Sequence, residues 1–206
     1  MAARVELVFD IVSPNAYLVW WPLRELLDRY EAGFDVIPVF LAGMHRLTGN
    51  APPMVRDAAI KGKNEYAMLE MQRFITRHGL SRYRMHPQFP FNSITLQRML
   101  YAADEDGRGV AFAECLLRAV WEENIDIAAP DAIGAAVAAA GFDAADLFAR
   151  AQSEAVKQGL AANTDRVVAR GAFGIPTMWV RRSGKPDEMF FGKERLGQIE
   201  ELLAEG

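Results

Sequence analysis

A chain of 206 residues, half of them apolar and a quarter charged, is long enough to bury a sizeable core and reads as one soluble globular domain, or one domain with an insertion. Its formal net charge of −4, with no basic stripe interleaved with aromatics, argues against nucleic acid as the main partner, and no stretch reaches the roughly 18 apolar residues of a membrane span. The single cysteine, Cys115, excludes a disulfide framework and any C-x-x-C pair, and it fits a reducing, cytoplasmic setting.

In chain order, Arg4 to Val12 is a short run rich in Val, Leu, Phe and Ile that predicts a buried strand. Glu6 and Asp10 interrupt it, so it does not read as a signal peptide. Ser13-Pro14 then opens a helix, with Ser13 at the N-cap and Pro14 at the first helical position, where the missing N–H has no partner to lose. That helix is expected to run to about Tyr30, with Ala16, Trp20, Leu23 and Leu27 at helical spacing and a kink at Pro22. Phe34 to Phe40 predicts a second strand. Strand, helix and strand in this order make a parallel βαβ unit with a right-handed crossover.

From Ala42 to about Arg170 helical spacing takes over: Ala67, Met71 and Phe74 keep it, as do Leu96, Met99, Leu100 and Ala103, and then Phe112, Cys115, Leu116, Ala119 and Val120. Cys115 lies on an apolar helix face and reads as core rather than nucleophile. His45, His78 and His86 lack metal-ligand spacing, and no metal site is expected. After Gly171 strands return: Thr177 to Arg182 and Glu188 to Phe191 form a hairpin about Ser183-Gly184-Lys185-Pro186, and a helix from about Lys193 to Ala204 closes the chain. The predicted fold class is α/β, in the order βαβ, large all-helical insertion, ββα. Residues 1–41 and 171–206 form one domain and 42–170 the inserted one.

Three segments stand out at the joins. Ser13-Pro14-Asn15-Ala16 occupies the strand-to-helix turn where a redox protein of the thioredoxin type carries C-P-x-C, with both sulfur positions filled by other residues. Gly171-Ala172-Phe173-Gly174-Ile175-Pro176-Thr177 is a glycine-rich turn leading into a strand, and Phe190-Phe191-Gly192-Lys193-Glu194-Arg195-Leu196 is a strand end breaking at glycine into the last helix. Together with Leu41-Ala42-Gly43, the loop Gly49-Asn50-Ala51-Pro52-Pro53, Lys63 three residues before Tyr66, and Val120-Trp121 followed by Asn124-Ile125-Asp126-Ile127, they resemble the kappa-class glutathione transferases and the related bacterial 2-hydroxychromene-2-carboxylate isomerases over nearly the whole chain. The resemblance implies a DsbA-like, thioredoxin-type domain interrupted by a helical insertion. It also implies glutathione as the cofactor and a homodimer.

Applied residue by residue, the resemblance gives Ser13 the role of a hydroxyl that hydrogen-bonds the glutathione thiolate, which the partial positive charge of a helix N-terminus also favours. On the residues alone, Ser13 is a plain helix cap; no neighbouring His makes it a nucleophile. The same likeness predicts a cis bond at Ile175-Pro176, which would present the Ile175 N–H and C=O to an extended peptide as an added strand does. Lys193 and Glu194, at the head of the last helix, would meet the γ-glutamyl end, although the family usually carries Asp where Glu194 stands and a solvated capping acid is the simpler reading. Asn50 is expected to face a glutathione amide and Lys63 a carboxylate, with Lys61 an equal claimant to the second role. Trp20, Trp21, Phe89 and Phe91 are candidates for an aromatic pocket, or else core.

The function implied is a glutathione-dependent isomerase or transferase acting on a small aromatic or electrophilic compound. A dithiol oxidoreductase of the same fold is disfavoured because neither Ser13 nor Ala16 is a cysteine, and exchange needs a resolving thiol. A binding module that keeps the fold without the chemistry is the remaining alternative.

Overall fold

A computed structural model describes residues 3–205. Strand β1 (Arg4–Phe9), helix α1 (Pro14–Arg29) and strand β2 (Gly33–Pro38) form the expected parallel unit, with Arg4 opposite Gly33 and Phe9 opposite Pro38. Strand β3 (Thr177–Arg181) lies antiparallel to β1, and β4 (Glu188–Phe191) antiparallel to β3, which gives a four-stranded mixed sheet in the order β2-β1-β3-β4. Val5, Leu7, Val8 and Phe9 of the central strand are all buried. A strand covered on both faces reads as the near-continuous apolar run seen in the sequence.

Between β2 and β3 the chain makes α2 (Leu41–Thr48), α3 (Pro53–Arg56), α4 (Lys63–Arg77), α5 (Ile94–Glu105), α6 (Gly109–Trp121), α7 (Pro130–Ala139), α8 (Ala144–Gln152) and α9 (Glu154–Ala169). Helices α5 and α6 pack on each other and on β2, and α9 packs on β2 and α2. The helical spacing read from the sequence is the buried face of α5 (Leu96, Met99, Leu100, Ala103) and of α6 (Phe112, Cys115, Leu116, Val120). Among the described residues, no helix is long and apolar enough to cross a membrane.

Three boundaries differ from expectation, each for a local reason. β1 ends at Phe9 and not at Val12, because side chains from the helical layer take over the backbone beyond it as hydrogen-bond partners. β2 ends at Pro38; the Phe40 N–H turns to the Thr164 hydroxyl of α9 at 3.0 Å instead of continuing a ladder. The last helix is split, a 3₁₀ turn at Lys193–Arg195 preceding α10 (Leu196–Ala204), after Gly192 at φ 99°. α1 continues through Pro22.

Candidate active site

Strand register decides which ends meet. Phe9 lies opposite Pro38, Val8 opposite Thr177 and Thr177 opposite Phe191, so the carboxyl ends of β1, β2 and β4 and the start of β3 share one end of the sheet. Helices α1 and α2 and the 3₁₀ turn all begin there. Ligands of open α/β sheets bind beyond the carboxyl ends of strands, where connections diverge.

Ser13 heads α1 at this end of the sheet, 6% exposed, with the extended backbone of an N-cap at φ −83° and ψ 114°. Its backbone does what a cap should: the N–H donates to the Asp10 carbonyl and the carbonyl accepts from Ala16, both at 3.0 Å. The expected side-chain cap is missing, however. The hydroxyl is free for another partner because the turn is held by other groups.

Those groups come from the helical layer. The Asp10 carboxylate is fully buried and accepts from the Val12 N–H at 3.1 Å and from the Leu41 N–H, the first residue of α2, at 2.8 Å. The buried hydroxyl of Ser93, the N-cap residue of α5, lies beside the same carboxylate. Gln97, one turn further along α5, accepts from the Ile11 N–H at 3.1 Å and donates to the carbonyls of Phe9 and Val39, each at 2.8 Å. The Trp121 indole of α6 donates to the Ile11 carbonyl at 2.9 Å. Burial pushes the Asp10 pKa up to about 6, with the hydrogen bonds from the Leu41 and Val12 N–H groups pulling the other way; the neighbouring Ser93 hydroxyl is buried without a hydrogen-bond partner among the described residues. The sequence reading missed this clamp. Its only trace there is polar residues in apolar company: Asp10 in a strand-like run, and Ser93 and Gln97 one turn apart beside the apolar stripe of α5.

The facing loop carries Ile175-Pro176, and the bond is cis as expected. Among the described residues, no hydrogen bond uses the Ile175 N–H or C=O. The loop is fixed on either side: the Thr177 hydroxyl donates to the Gly174 carbonyl at 2.8 Å, and Gly192 N–H donates to the Pro176 carbonyl at 2.9 Å. Asn50 reaches this loop, its amide nitrogen donating to the Phe173 carbonyl at 2.7 Å while its oxygen accepts from Ala51 N–H at 2.8 Å. Asn50 therefore stands as a strut of the proline loop.

Gly192 also delivers Lys193 and Glu194 to the same end, on the 3₁₀ turn rather than at the head of an α-helix. Lys193 is buried, its ammonium paired with Glu194 and 5.3 Å from the centre of the Phe74 ring. A cleft of about 350 Å³ opens between α4 and this turn, lined among others by Arg73, Arg77, Lys193 and Glu194. Lys63 is not gathered with these residues. Its ammonium pairs with Asp57 at 2.9 Å, and Arg56 and Lys63 together hold the Asp57 carboxyl down to about 2. Lys61 is exposed.

Beside the Ser13 turn, the Trp121 ring is ringed by Tyr83, Phe89 and Phe91 at centroid distances of 5.8–6.0 Å, all three half-buried. Trp20, by contrast, is core, packed edge-on against Phe9 and Phe34. Trp21 lies edge-on to Tyr17, with its indole nitrogen buried and unpartnered. Cys115 is buried, and burial pushes its thiol up to about 11, which suits a core residue. Among the described residues, no three His, Cys, Asp or Glu side chains stand together as metal ligands would.

Residues 4–204 match the model of the DSBA-like thioredoxin domain family. The chain is 28% identical to the 2-hydroxychromene-2-carboxylate isomerase of Pseudomonas putida, over 97% of this chain and 93% of that protein. It is 27% identical to glutathione S-transferase kappa 1 of Homo sapiens, over 98% and 91% respectively. The solved structure of a 2-hydroxychromene-2-carboxylate isomerase matches it with a TM-score of 0.81 at 25% identity, over 98% of this chain and 95% of that one.

Proposed function

The chain belongs to the family of DSBA-like thioredoxin domains, and on that premise we propose that it is a glutathione-dependent isomerase of the 2-hydroxychromene-2-carboxylate isomerase type. The relatives in both groups are enzymes, an isomerase and a transferase, and so is this protein. The observation that carries the proposal is the Ser13 hydroxyl: it stands at a helix N-terminus, released from capping, at the sheet end that also holds the unpaired Ile175 N–H and C=O. A thiol-bearing peptide suits that pair of features. The Ile175 groups would pair with its backbone, and Ser13 with its sulfur.

When bound here, glutathione would supply a thiolate nucleophile able to add reversibly to a conjugated double bond of the substrate, which is the chemistry that geometric isomerisation needs. The protein's own part is electrostatic. Ser13 donates to the sulfur, and the first N–H groups of α1 add the positive end of the helix dipole, so a thiol that is only a few per cent ionised at neutral pH is held as thiolate. Lys193 and Glu194 would take the charged γ-glutamyl end, and the half-buried rings around Trp121 favour an aromatic substrate. Asn50 acts through the Phe173 carbonyl, holding the loop to which the peptide pairs. Lys63 contributes a carboxylate contact only if it leaves Asp57, which gives Lys61 the freer ammonium. A cytoplasmic homodimer completes the reading, supported by exposed Leu47, Met54, Val55, Ile60 and Tyr66 on and between α2, α3 and α4. Sedimentation as a monomer at micromolar concentration would remove the dimer.

Near-equal identity to the kappa transferase keeps conjugation as a second reading. The two are separated by offering glutathione with 2-hydroxychromene-2-carboxylate and, separately, with 1-chloro-2,4-dinitrobenzene. Isomerisation of the first is the expected result; conjugation of the second with no turnover of the first assigns the transferase. Binding of glutathione with neither reaction, and with its thiol pKa unmoved, leaves a binding module.

A further inference from the structure

We propose that Asp10 is the positioning residue of this site, its carboxylate tying the turn that presents Ser13 to the helix that presents Asn50 and holding the two in register while it is charged. The inference rests on the reading of Ser13 and Asn50 given above.

The geometry is a shared anchor. One carboxylate oxygen accepts from Val12, the residue before Ser13, and the other from Leu41, the first residue of α2. The N-cap position of α2 is filled by Phe40, whose side chain cannot accept a hydrogen bond, so Asp10 caps α2 from outside its own segment. At its far end α2 closes on Gly49 in the left-handed region, and the next residue, Asn50, donates to the Phe173 carbonyl of the proline loop. Ser13 and Asn50 thus hang from a single buried group by short, hydrogen-bonded connections.

Charge is what lets Asp10 hold both. An ionised carboxylate accepts on both oxygens, whereas the protonated acid must donate one hydrogen. Two of the groups facing it, the N–H of Val12 and of Leu41, are donors, and only the Ser93 hydroxyl can accept. Protonation therefore weakens the tie on the oxygen that takes the proton, because a carboxyl hydroxyl is a poorer acceptor than a carboxylate oxygen. On the elements that meet at Asp10, the charged or titratable residues closest in the chain to its contacts are Glu6 on β1, His45 on α2, Arg98 on α5 and Glu122 beyond α6, and none forms a hydrogen bond or ion pair with Asp10. Burial alone opposes the charge, which brings its ionisation to about pH 6.

The test reads backbone amide shifts of the whole protein by NMR between pH 5 and 8, without any ligand. Val12, Ser13, Leu41 and Asn50 are expected to share one inflection near pH 6, and that inflection is expected to vanish in Asp10→Asn. Val12 and Leu41 titrating while Ser13 and Asn50 stay flat would overturn the coupling, and no inflection at any of the four would overturn it as well. A second arm measures glutathione affinity over the same range. It is expected to weaken several-fold below the inflection in the wild type and to lose that dependence in Asp10→Asn; a dependence surviving in the variant overturns the proposal. If glutathione binds at no pH, the reading of the site fails while the amide titration still decides the role of Asp10. The wild-type titration needs no variant, so a poorly folding substitution leaves the test intact.

Discussion

At Ser13, cap geometry and a free hydroxyl coexist because a carboxylate three residues upstream and an amide on α5 already hold the turn. A hydroxyl donating to a thiolate is a hydrogen bond to a charged group, worth about 1.5–3 kcal/mol, and roughly 1.4 kcal/mol corresponds to one pH unit of ionisation. Ser13→Ala is therefore expected to raise the pKa of the bound glutathione thiol by about one to two and to lower turnover at neutral pH about 10- to 100-fold, with binding less affected. Thiolate absorbance titrated in the complex checks this; an unchanged thiol pKa takes the role from Ser13 and leaves the helix dipole alone. The position of this residue was legible, since Ser-Pro after an apolar run specifies a helix start. Its freedom was not, because that rests in part on Gln97, whose bonds to Ile11 and Phe9 span 86 and 88 residues of chain.

Among the elements, α5 does most to shape the site while contributing no residue that faces a ligand. Gln97 satisfies one N–H and two carbonyls just beyond and at the ends of β1 and β2; because the Phe9 carbonyl also accepts from the Val39 N–H, Gln97→Leu would leave two of these groups, the Ile11 N–H and the Val39 carbonyl, without partners. At about 1–3 kcal/mol for each buried group left unsatisfied, the loss should be at least about 2 kcal/mol, read as a lower midpoint in urea with an unchanged slope. Hydrogen exchange at the Ile11 N–H should accelerate by more than the global loss allows, because the turn opens locally before the molecule unfolds. Exchange at Ile11 no faster than in the core strands would show that Trp121 and Asp10 hold the turn without Gln97. The elements themselves were legible from period and punctuation: apolar runs bounded by Gly and Pro gave the strands, and 3.6-residue spacing gave α5 and α6. The errors fall where one element ends on another, at Phe9, Pro38 and Lys193. A segment's own pattern carries no record of the Gln97, Thr164 or Pro176 group that stops it.

For the whole molecule, two carboxyls displaced in opposite directions pull the pH dependence of stability in opposite senses. Asp57, lowered to about 2 by Arg56 and Lys63, adds stability that is present above its unfolded value near 4 and disappears as pH falls toward 2. Asp10 works in the opposite sense. Its folded pKa of about 6 lies above the unfolded value of 3.8, so between those limits the native state holds the extra proton and stability falls as pH rises. A difference of about two pH units corresponds to about 3 kcal/mol across that window. Asp10→Asn should remove this slope: relative to wild type the variant should be less stable near pH 4 and close to equal at pH 7, where the loss of one N–H acceptor offsets the absence of a buried charge. Thermal unfolding of both proteins from pH 4 to 8 measures the difference directly, and two parallel curves would mean that Asp10 has the same pKa folded and unfolded. The same protonation that the fold favours weakens the hold on Val12 or Leu41. A buried carboxylate at position 10 is explained by what its charge holds in place.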